Sequence, residues 1–375
     1  MIPIAKPYLG KEEAQAAHDT ILTGWITQGP KVAEFEKNFA EFVGSKYAVA
    51  VSNCTTALHL SMIVAGIGPG DEVICPTMSY IATANSIVYV GATPVFAEIN
   101  KKDYNLDIED VEKKITTKTK AILLVHQMGM PGDIDGFKQL CEKYELILIE
   151  DAACAIGSEY KGAKIGSHSD YVCFSFHPRK VISTGDGGMI STSNQEVYDK
   201  LKLYRQHGMS INDRVRHESK TVLFEDHLVV GYNYRLTDIQ AAVGIEQLKR
   251  LPWIIEERQK LAKMYHELLS AIDWMELPKE HEGCFSNYQT YSVYIKPNAP
   301  INRDALMQVF LEKEISTRRG IMTSHRETAY KNRGTWSLPA SEDAADNSIC
   351  LPLWVGMNIT DVESICGYIQ KIGEI

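Results

Sequence analysis

LILIED, residues 146–151, is a short β-rich run that ends on two carboxylic acids, and the same pattern recurs as the chain is read outward from it. AILLVHQ (121–127), ATPVFAEI (92–99), DEVICP (71–76) and YAVAVS (47–52) precede it. Helix-patterned stretches separate these runs, from Thr55 to about Ala65, over 82–90 and over 134–144. Alternation of this kind with short connections predicts an α/β fold of βαβ units, a mostly parallel sheet covered by helices. Ligands of such sheets sit at the carboxyl ends of the strands. The polar residues that follow each strand are therefore where chemistry is expected.

Beyond LILIED come YVCFSF (171–176) and the short run MISTS (189–193), joined by a segment containing Gly185-Asp186-Gly187-Gly188 whose glycines supply a flexible backbone. A helix is predicted from near Thr237 to Pro252, and the amphipathic stretch 254–272 is helical as well. The chain has 375 residues; at roughly 150 per domain this suits one large and one smaller unit. We place a large domain at 1–250, including the N-terminal segment, and a smaller C-terminal α+β domain at 251–375, built from TYSVYIKP (290–297), RDALMQVFLEKE (303–314) and TDVESICGYIQKIG (360–373).

Composition removes several classes. Apolar residues make up 45% and charged residues 23%, ordinary for a globular chain, which sets aside disorder, collagen and coiled coil. With 39 basic against 48 acidic residues the net charge is −9, and no basic stripe is present to bind nucleic acid. No apolar run approaches the ~18 residues of a membrane span, and the N-terminus lacks a charged-then-apolar leader, so a cytoplasmic protein is expected. The eight cysteines, at 54, 75, 141, 154, 173, 284, 350 and 366, form no Cys-x-x-Cys pair. Neither a disulfide framework nor a metal site is expected, and most should be small buried hydrophobes.

Four features after successive strands fit one cofactor. Ser52-Asn53-Cys54-Thr55-Thr56 lies at a strand-to-helix junction, where backbone N–H groups and hydroxyls can hold a phosphate; a plain helix cap explains Thr55 equally well. Tyr80 follows a strand end and can lie flat on a planar ring, or be a rim tyrosine of the core. Glu150-Asp151 puts a carboxylate at the mouth of the sheet, able to pair with a pyridinium nitrogen and keep the ring electron-withdrawing. Ser175-Phe176-His177-Pro178-Arg179-Lys180 places a lysine past a strand, able to form a Schiff base with an aldehyde when its amine loses its proton. A single lysine is ordinarily solvated surface; the conjunction is what matters.

On TGWITQGPKVAEFE (23–36), ALHLSMIVAGIGPGDEVICP (57–76), IATANSIVYVGATPVFAEI (81–99), IEDAA (149–153), SFHPRKVISTGDGGMI (175–190) and GYNYRLTDIQAAVGIEQL (231–248), the chain resembles the DegT-type nucleotide-sugar aminotransferase family. These are pyridoxal phosphate enzymes of fold type I, like aspartate aminotransferase; LPLWVGMNITDVE (351–363) matches more weakly. The resemblance implies that Lys180 holds pyridoxal 5'-phosphate as an internal aldimine, that Asp151 pairs with the ring nitrogen, that Tyr80 stacks on the ring and that Thr55, Thr56 and Ser175 contact the phosphate. It also implies that Asn233 reaches the phosphate of a neighbouring subunit, so that the site is shared in a homodimer. Two positions depart from the family pattern: Cys154 stands where Gln or His is frequent, and Asp186 where Glu is.

The implied reaction is a ping-pong transamination. An amino acid, with glutamate the usual donor, leaves its amino group on the cofactor as pyridoxamine phosphate, and a nucleotide-linked keto-deoxysugar, foremost a 4-keto-6-deoxyhexose, receives it in amino-sugar and cell-surface polysaccharide (or lipopolysaccharide) biosynthesis. Candidate substrate contacts are Trp25, Thr27, Arg235, Arg318 and His325, since guanidinium groups form forked bonds to a diphosphate. Two alternatives stand beside it. Sugar dehydratases of the same family carry His at the lysine position, which Lys180 argues against. A pyridoxal phosphate-binding regulator without turnover would not need the set Tyr80, Asp151, Ser175 and Lys180.

Overall fold

In the computed structural model, which describes residues 1–211 and 219–373, the expected sheet is present. Its strands are β1 (Tyr47–Val51), β2 (Glu72–Pro76), β3 (Thr93–Ala97), β4 (Thr119–Val125) and β5 (Ile147–Asp151). After a hairpin of β6 (Glu159–Tyr160) and β7 (Ala163–Lys164) come β8 (Val172–Ser175) and β9 (Gly188–Thr192). Seven of them form one sheet in the order β1-β9-β8-β5-β4-β2-β3. Neighbours from β3 to β8 pair in parallel, while β9 runs antiparallel to both β1 and β8.

Alternation of side chains across each strand explains why both faces are covered. In β4, Ile122 and Leu124 enter one core with Phe35, Phe39, Phe137, Phe174 and Phe176, whereas Ala121 and Leu123 enter the opposite core with Leu58, Leu60, Met62, Ile87 and Leu201. Leu148 and Ile149 of β5 divide in the same way. Each large side chain so buried contributes about 1.5–3 kcal/mol, enough to fix the register of every strand.

Helices Cys54–Val64, Ala82–Tyr89 and Ile134–Tyr144 lie where the sequence pattern puts them. The stretch beyond Thr237 differs: it is one helix, Asp238–Leu269, with Pro252 inside it. Pro252 removes a backbone donor, and burial of Leu251, Ile254 and Ile255 around it keeps the helix in one piece. At its start Asp238 accepts the backbone N–H groups of Gly29 (2.7 Å), Lys31 (3.0 Å) and Val32 (2.9 Å), capping the helix Pro30–Val43.

Strand β11 (Cys284–Phe285) joins the β6–β7 hairpin. The second sheet, β10 (Met275–Glu276), β12 (Tyr291–Ile295), β14 (Ser348–Leu351) and β13 (Arg318–Arg319) in that spatial order, is antiparallel throughout. Its core includes Tyr265, Tyr291, Phe310, Ile349, Ile365 and Ile369. The division of the chain at residue 250 falls inside the long helix. The first residues reach this second sheet, Ile2 bridging to Ile315 and the Ile4 carbonyl accepting the Leu353 N–H. No helix among the described residues is long and apolar enough to cross a membrane.

Candidate active site

The carboxyl ends of β1, β5 and β8 open on one cavity of about 730 Å³, within the range of small-molecule sites. Thr55, Thr56, Tyr80, Asp151, Ser175, Lys180 and Arg318 line it. Trp25, Thr27, Asn233, Arg235 and His325 do not.

The strand-to-helix junction is capped by Asn53, whose side chain accepts the Thr56 N–H at 2.9 Å, while the Thr56 hydroxyl donates to the Asn53 carbonyl at 2.7 Å. Thr55 takes no part in this cap. Its hydroxyl and the N–H groups of Cys54 and Thr55 therefore remain for an anion at the helix N-terminus, the Thr56 N–H being taken by Asn53. Gly188 lets the strand approach the cap: a Cβ there would lie 2.5 Å from the carbonyl carbon and oxygen of Asn53. Gly185 adopts a φ of 87°, which a side chain would strain.

Of the two acids after LILI, only Asp151 faces the cavity. Glu150 points to the other face and accepts from Nε2 of the buried His126 at 2.8 Å, since the His126 Nδ1 is already taken by the Gly132 N–H at 3.1 Å. Asp151 is 5% exposed and accepts from the Thr83 hydroxyl (2.9 Å) and the Ala153 N–H (3.1 Å). Burial pushes its carboxyl above the ordinary aspartate range, against the pull of the Ala153 N–H, Lys180 and Thr83. A buried carboxylate with so little compensating charge suits a cationic N–H.

Lys180 lies across from it, its Nζ donating to Cys154 Sγ at 3.1 Å. Burial works against the ammonium, yet Cys154, Asp151 and Cys54 outweigh it and hold the amine above the usual lysine value. Tyr80 is 71% exposed with its ring at the cavity. A helix N-terminus for a phosphate, a buried acid for a ring nitrogen, a lysine amine and an open aromatic face together match pyridoxal phosphate group by group.

Several lining residues carry no mark in the sequence. Thr83 sits three residues after Tyr80, and nothing in the spacing tells which hydroxyl turns to Asp151. Ile4 and Ala5 arrive from the far end of the chain, and Gln289 and Thr290 from the segment before β12. Arg179 and Arg318 line the rim, and neither has a carboxylate partner among the described residues. Burial and then the like charge of Arg179 hold Arg318 below its ordinary pKa. Cys54 and Cys350 also line the cavity, so these cysteines do more than fill the core.

The residues away from the cavity have definite places. His325 is buried, engaging Thr77 Oγ1 at 2.6 Å through Nδ1 and Glu342 Oε1 at 3.0 Å through Nε2, which leaves no ring nitrogen for a substrate. Trp25 donates from Nε1 to the Gln28 carbonyl at 3.2 Å. The Thr27 carbonyl accepts the Asp238 N–H at 3.0 Å, Gln28 bonds Gln206, and Gln206 bridges to the exposed Asn233. Trp25, Thr27, Asn233 and Arg235 thus belong to neighbouring segments outside the cavity.

Fold and site together define a pyridoxal phosphate-dependent enzyme of fold type I. The model of the DegT/DnrJ/EryC1/StrS aminotransferase family matches residues 7–370, and the chain belongs to that family. It is 37% identical over 373 residues to GDP-perosamine synthase of Vibrio cholerae, covering 99% of each chain. Among solved structures, the aminotransferase TlmJ from Streptoalloteichus hindustanus superposes with a TM-score of 0.92 at 32% identity, over 100% of this chain and 99% of that one. The PMP-form of Spr1654 from Streptococcus pneumoniae superposes with a TM-score of 0.94 at 28% identity, over 100% of this chain and 99% of that one. The chain is an aminotransferase, and pyridoxal phosphate is its cofactor.

Proposed function

We propose that this enzyme transfers the amino group of L-glutamate to a nucleotide-linked 4-keto-6-deoxyhexose, in the cytoplasm, for amino-sugar and cell-surface polysaccharide biosynthesis. The observation that carries the reading is the convergence of Lys180, Asp151 and the Asn53-capped helix on one cavity, in a chain related to GDP-perosamine synthase over its whole length.

Pyridoxal phosphate, when bound, supplies an aldehyde for amine exchange and a ring that accepts electrons. In this reading Lys180 holds the aldehyde in the resting enzyme. Displaced by the amino acid, its amine would take the α-proton and return it to the former aldehyde carbon on the other side of the nitrogen, acting as base and then acid. Asp151 keeps the ring nitrogen protonated. Thr55 and Ser175 hold the phosphate and Tyr80 covers the ring; Thr56, expected from the sequence to share that role, instead spends its N–H and its hydroxyl on Asn53 and holds the helix end that presents Thr55. Arg318 with Arg179 meets the substrate's diphosphate at the rim, where two facing guanidinium groups favour a dianion.

We also propose a homodimer in which Asn233 completes the partner's phosphate site and Trp25, Thr27 and Arg235 contact the partner's sugar nucleotide. Support comes from Val222, Phe224, Leu228 and Val230, all more than half exposed on the segment leading to Asn233. A row of apolar side chains in water calls for a covering surface.

The test is stoichiometric. Pyridoxal phosphate-loaded protein given glutamate alone should convert its absorbance to that of the pyridoxamine form and release one 2-oxoglutarate per chain. Addition of a nucleotide-linked 4-keto-6-deoxyhexose should restore the first spectrum and yield an amino sugar by mass. A loaded wild type that glutamate and every other amino acid leave unchanged would defeat the proposal.

A further inference from the structure

Next to the cavity, residues 286–290 link β11 of the three-stranded sheet to β12 of the four-stranded sheet and touch the main chain on both sides of the Lys180 contact. The Asn287 side chain is fully buried and donates from Nδ2 to the carbonyls of Cys154 and Ile156, both at 2.9 Å. Its Oδ1 accepts the Gln289 N–H at 2.8 Å, so the amide is satisfied at both ends. Two residues on, Gln289 donates from Nε2 to the Arg179 carbonyl at 3.0 Å, the peptide that leads into Lys180. One short segment therefore grips the backbone of Cys154 and the backbone beside Lys180, the two residues whose side chains meet at 3.1 Å.

The segment is itself held in an uncommon shape. Tyr288, between the two amides, has a φ of 44°, a conformation that strains a bulky residue and persists only where surroundings over-determine it. Arg258 of the long helix supplies that constraint. Its guanidinium is buried and donates to the Tyr288 carbonyl at 2.9 and 2.7 Å and to the Gln289 carbonyl at 2.6 Å. Without a carboxylate among these partners, burial lowers its pKa to about 9. Gly129 completes the seat: a Cβ there would stand 2.1 Å from Asn287 Oδ1.

We infer that residues 286–290, pinned by Arg258, are a positioning element that fixes Lys180 against Cys154 through Asn287 and Gln289. The inference rests on Lys180 being the reacting amine, but its test does not use the reaction. Cofactor-free protein is reductively methylated with carbon-13 formaldehyde, and the Lys180 methyl resonance, assigned by its loss in Lys180→Ala, is followed over a pH series. Loss of an acceptor for a charged donor removes about 1.5–3 kcal/mol, so the Lys180 titration midpoint should fall by about one to two pH units in Asn287→Ala. Cys154→Ala should show the same fall, and the double variant no further one, because Asn287 acts through Cys154. Gln289→Ala, at a half-buried side chain, gives a second variant with the same expected direction should Asn287→Ala not fold. An unchanged midpoint in a folded variant, or a full additional fall in the Cys154→Ala background, would overturn the inference. Failure of the aminotransfer reading would show separately, as unimpaired cofactor turnover by Lys180→Ala.

Discussion

Gly188→Ala is the substitution from which the most can be calculated. Its methyl group would start 2.5 Å from the Asn53 carbonyl carbon and oxygen and 2.8 Å from the Cys54 nitrogen, all of them backbone atoms. Ordinary contact begins near 3.4 Å, so something must yield by almost 1 Å. Pairing with Val51 on one side and Ser175 on the other holds Gly188 in the sheet, so the cap is what moves. Overpacking of this kind costs about 1–3 kcal/mol of stability. If the phosphate is held where we propose, each charged hydrogen bond lost at the displaced N-terminus costs about 1.5–3 kcal/mol, a roughly ten- to hundredfold rise in the Kd for pyridoxal phosphate. Melting of the cofactor-free protein reads the first effect and absorbance titration with cofactor reads the second. Gly68→Ala, with nothing within 4 Å of its added atom, is the control that should change neither. A folded Gly188→Ala protein with wild-type cofactor affinity would refute the placement of the phosphate at this helix.

Asp151→Asn separates charge from shape, because an amide can still accept from Ala153 while carrying no negative charge. With glutamate and cofactor, single-turnover conversion should slow by more than about a hundredfold, the scale of losing a charge-assisted contact to the ring nitrogen. Stability responds in the opposite direction. The native carboxyl is raised by burial, so between its unfolded and folded pKa values the native state binds more protons and stability falls as pH rises. Cofactor-free Asp151→Asn should therefore melt above wild type at neutral pH, with the gap closing toward acid; a gap that widens toward acid contradicts the assigned shift. Sharing of the site is checked by mixing Lys180→Ala with Asn233→Ala: hybrid dimers should recover one working site, and proven subunit exchange with no recovery of activity excludes it.

The parallel half of the sheet was legible because its strands are short apolar runs and its helices carry their own start and stop residues. Asn53 and Thr56 show how a cap and a binding site share one stretch of chain: spacing reveals the helix start but not which threonine hydroxyl the cap consumes. The residue pattern alone does not separate the acids at 150 and 151, and it is the family resemblance that selects Asp151; strand alternation puts Glu150 against His126 and Asp151 in the cavity. His325 shows the converse, since a histidine near arginines looks like a ligand until both nitrogens are found engaged by Thr77 and Glu342. Contacts that depend on distant segments, such as Asn287 on Cys154 or Ile4 in the cavity wall, have no local pattern from which to be read.

The reversed strand accounts for how the site is assembled. Were β9 parallel to β8, the chain after Lys180 would have to cross the sheet before re-entering it, and Gly188 would start at the opposite end from the cavity. Because β9 is antiparallel, Ser175 pairs with Gly188, and residues 176–187 leave and return at the same edge with Lys180 between them. The next pairing, Gly188 with Val51, carries that edge to the strand whose end becomes the Asn53 cap. Amine loop and helix N-terminus are thus two pairings apart in one hydrogen-bonded ladder, and a displacement of either is transmitted to the other through a glycine with no slack around it.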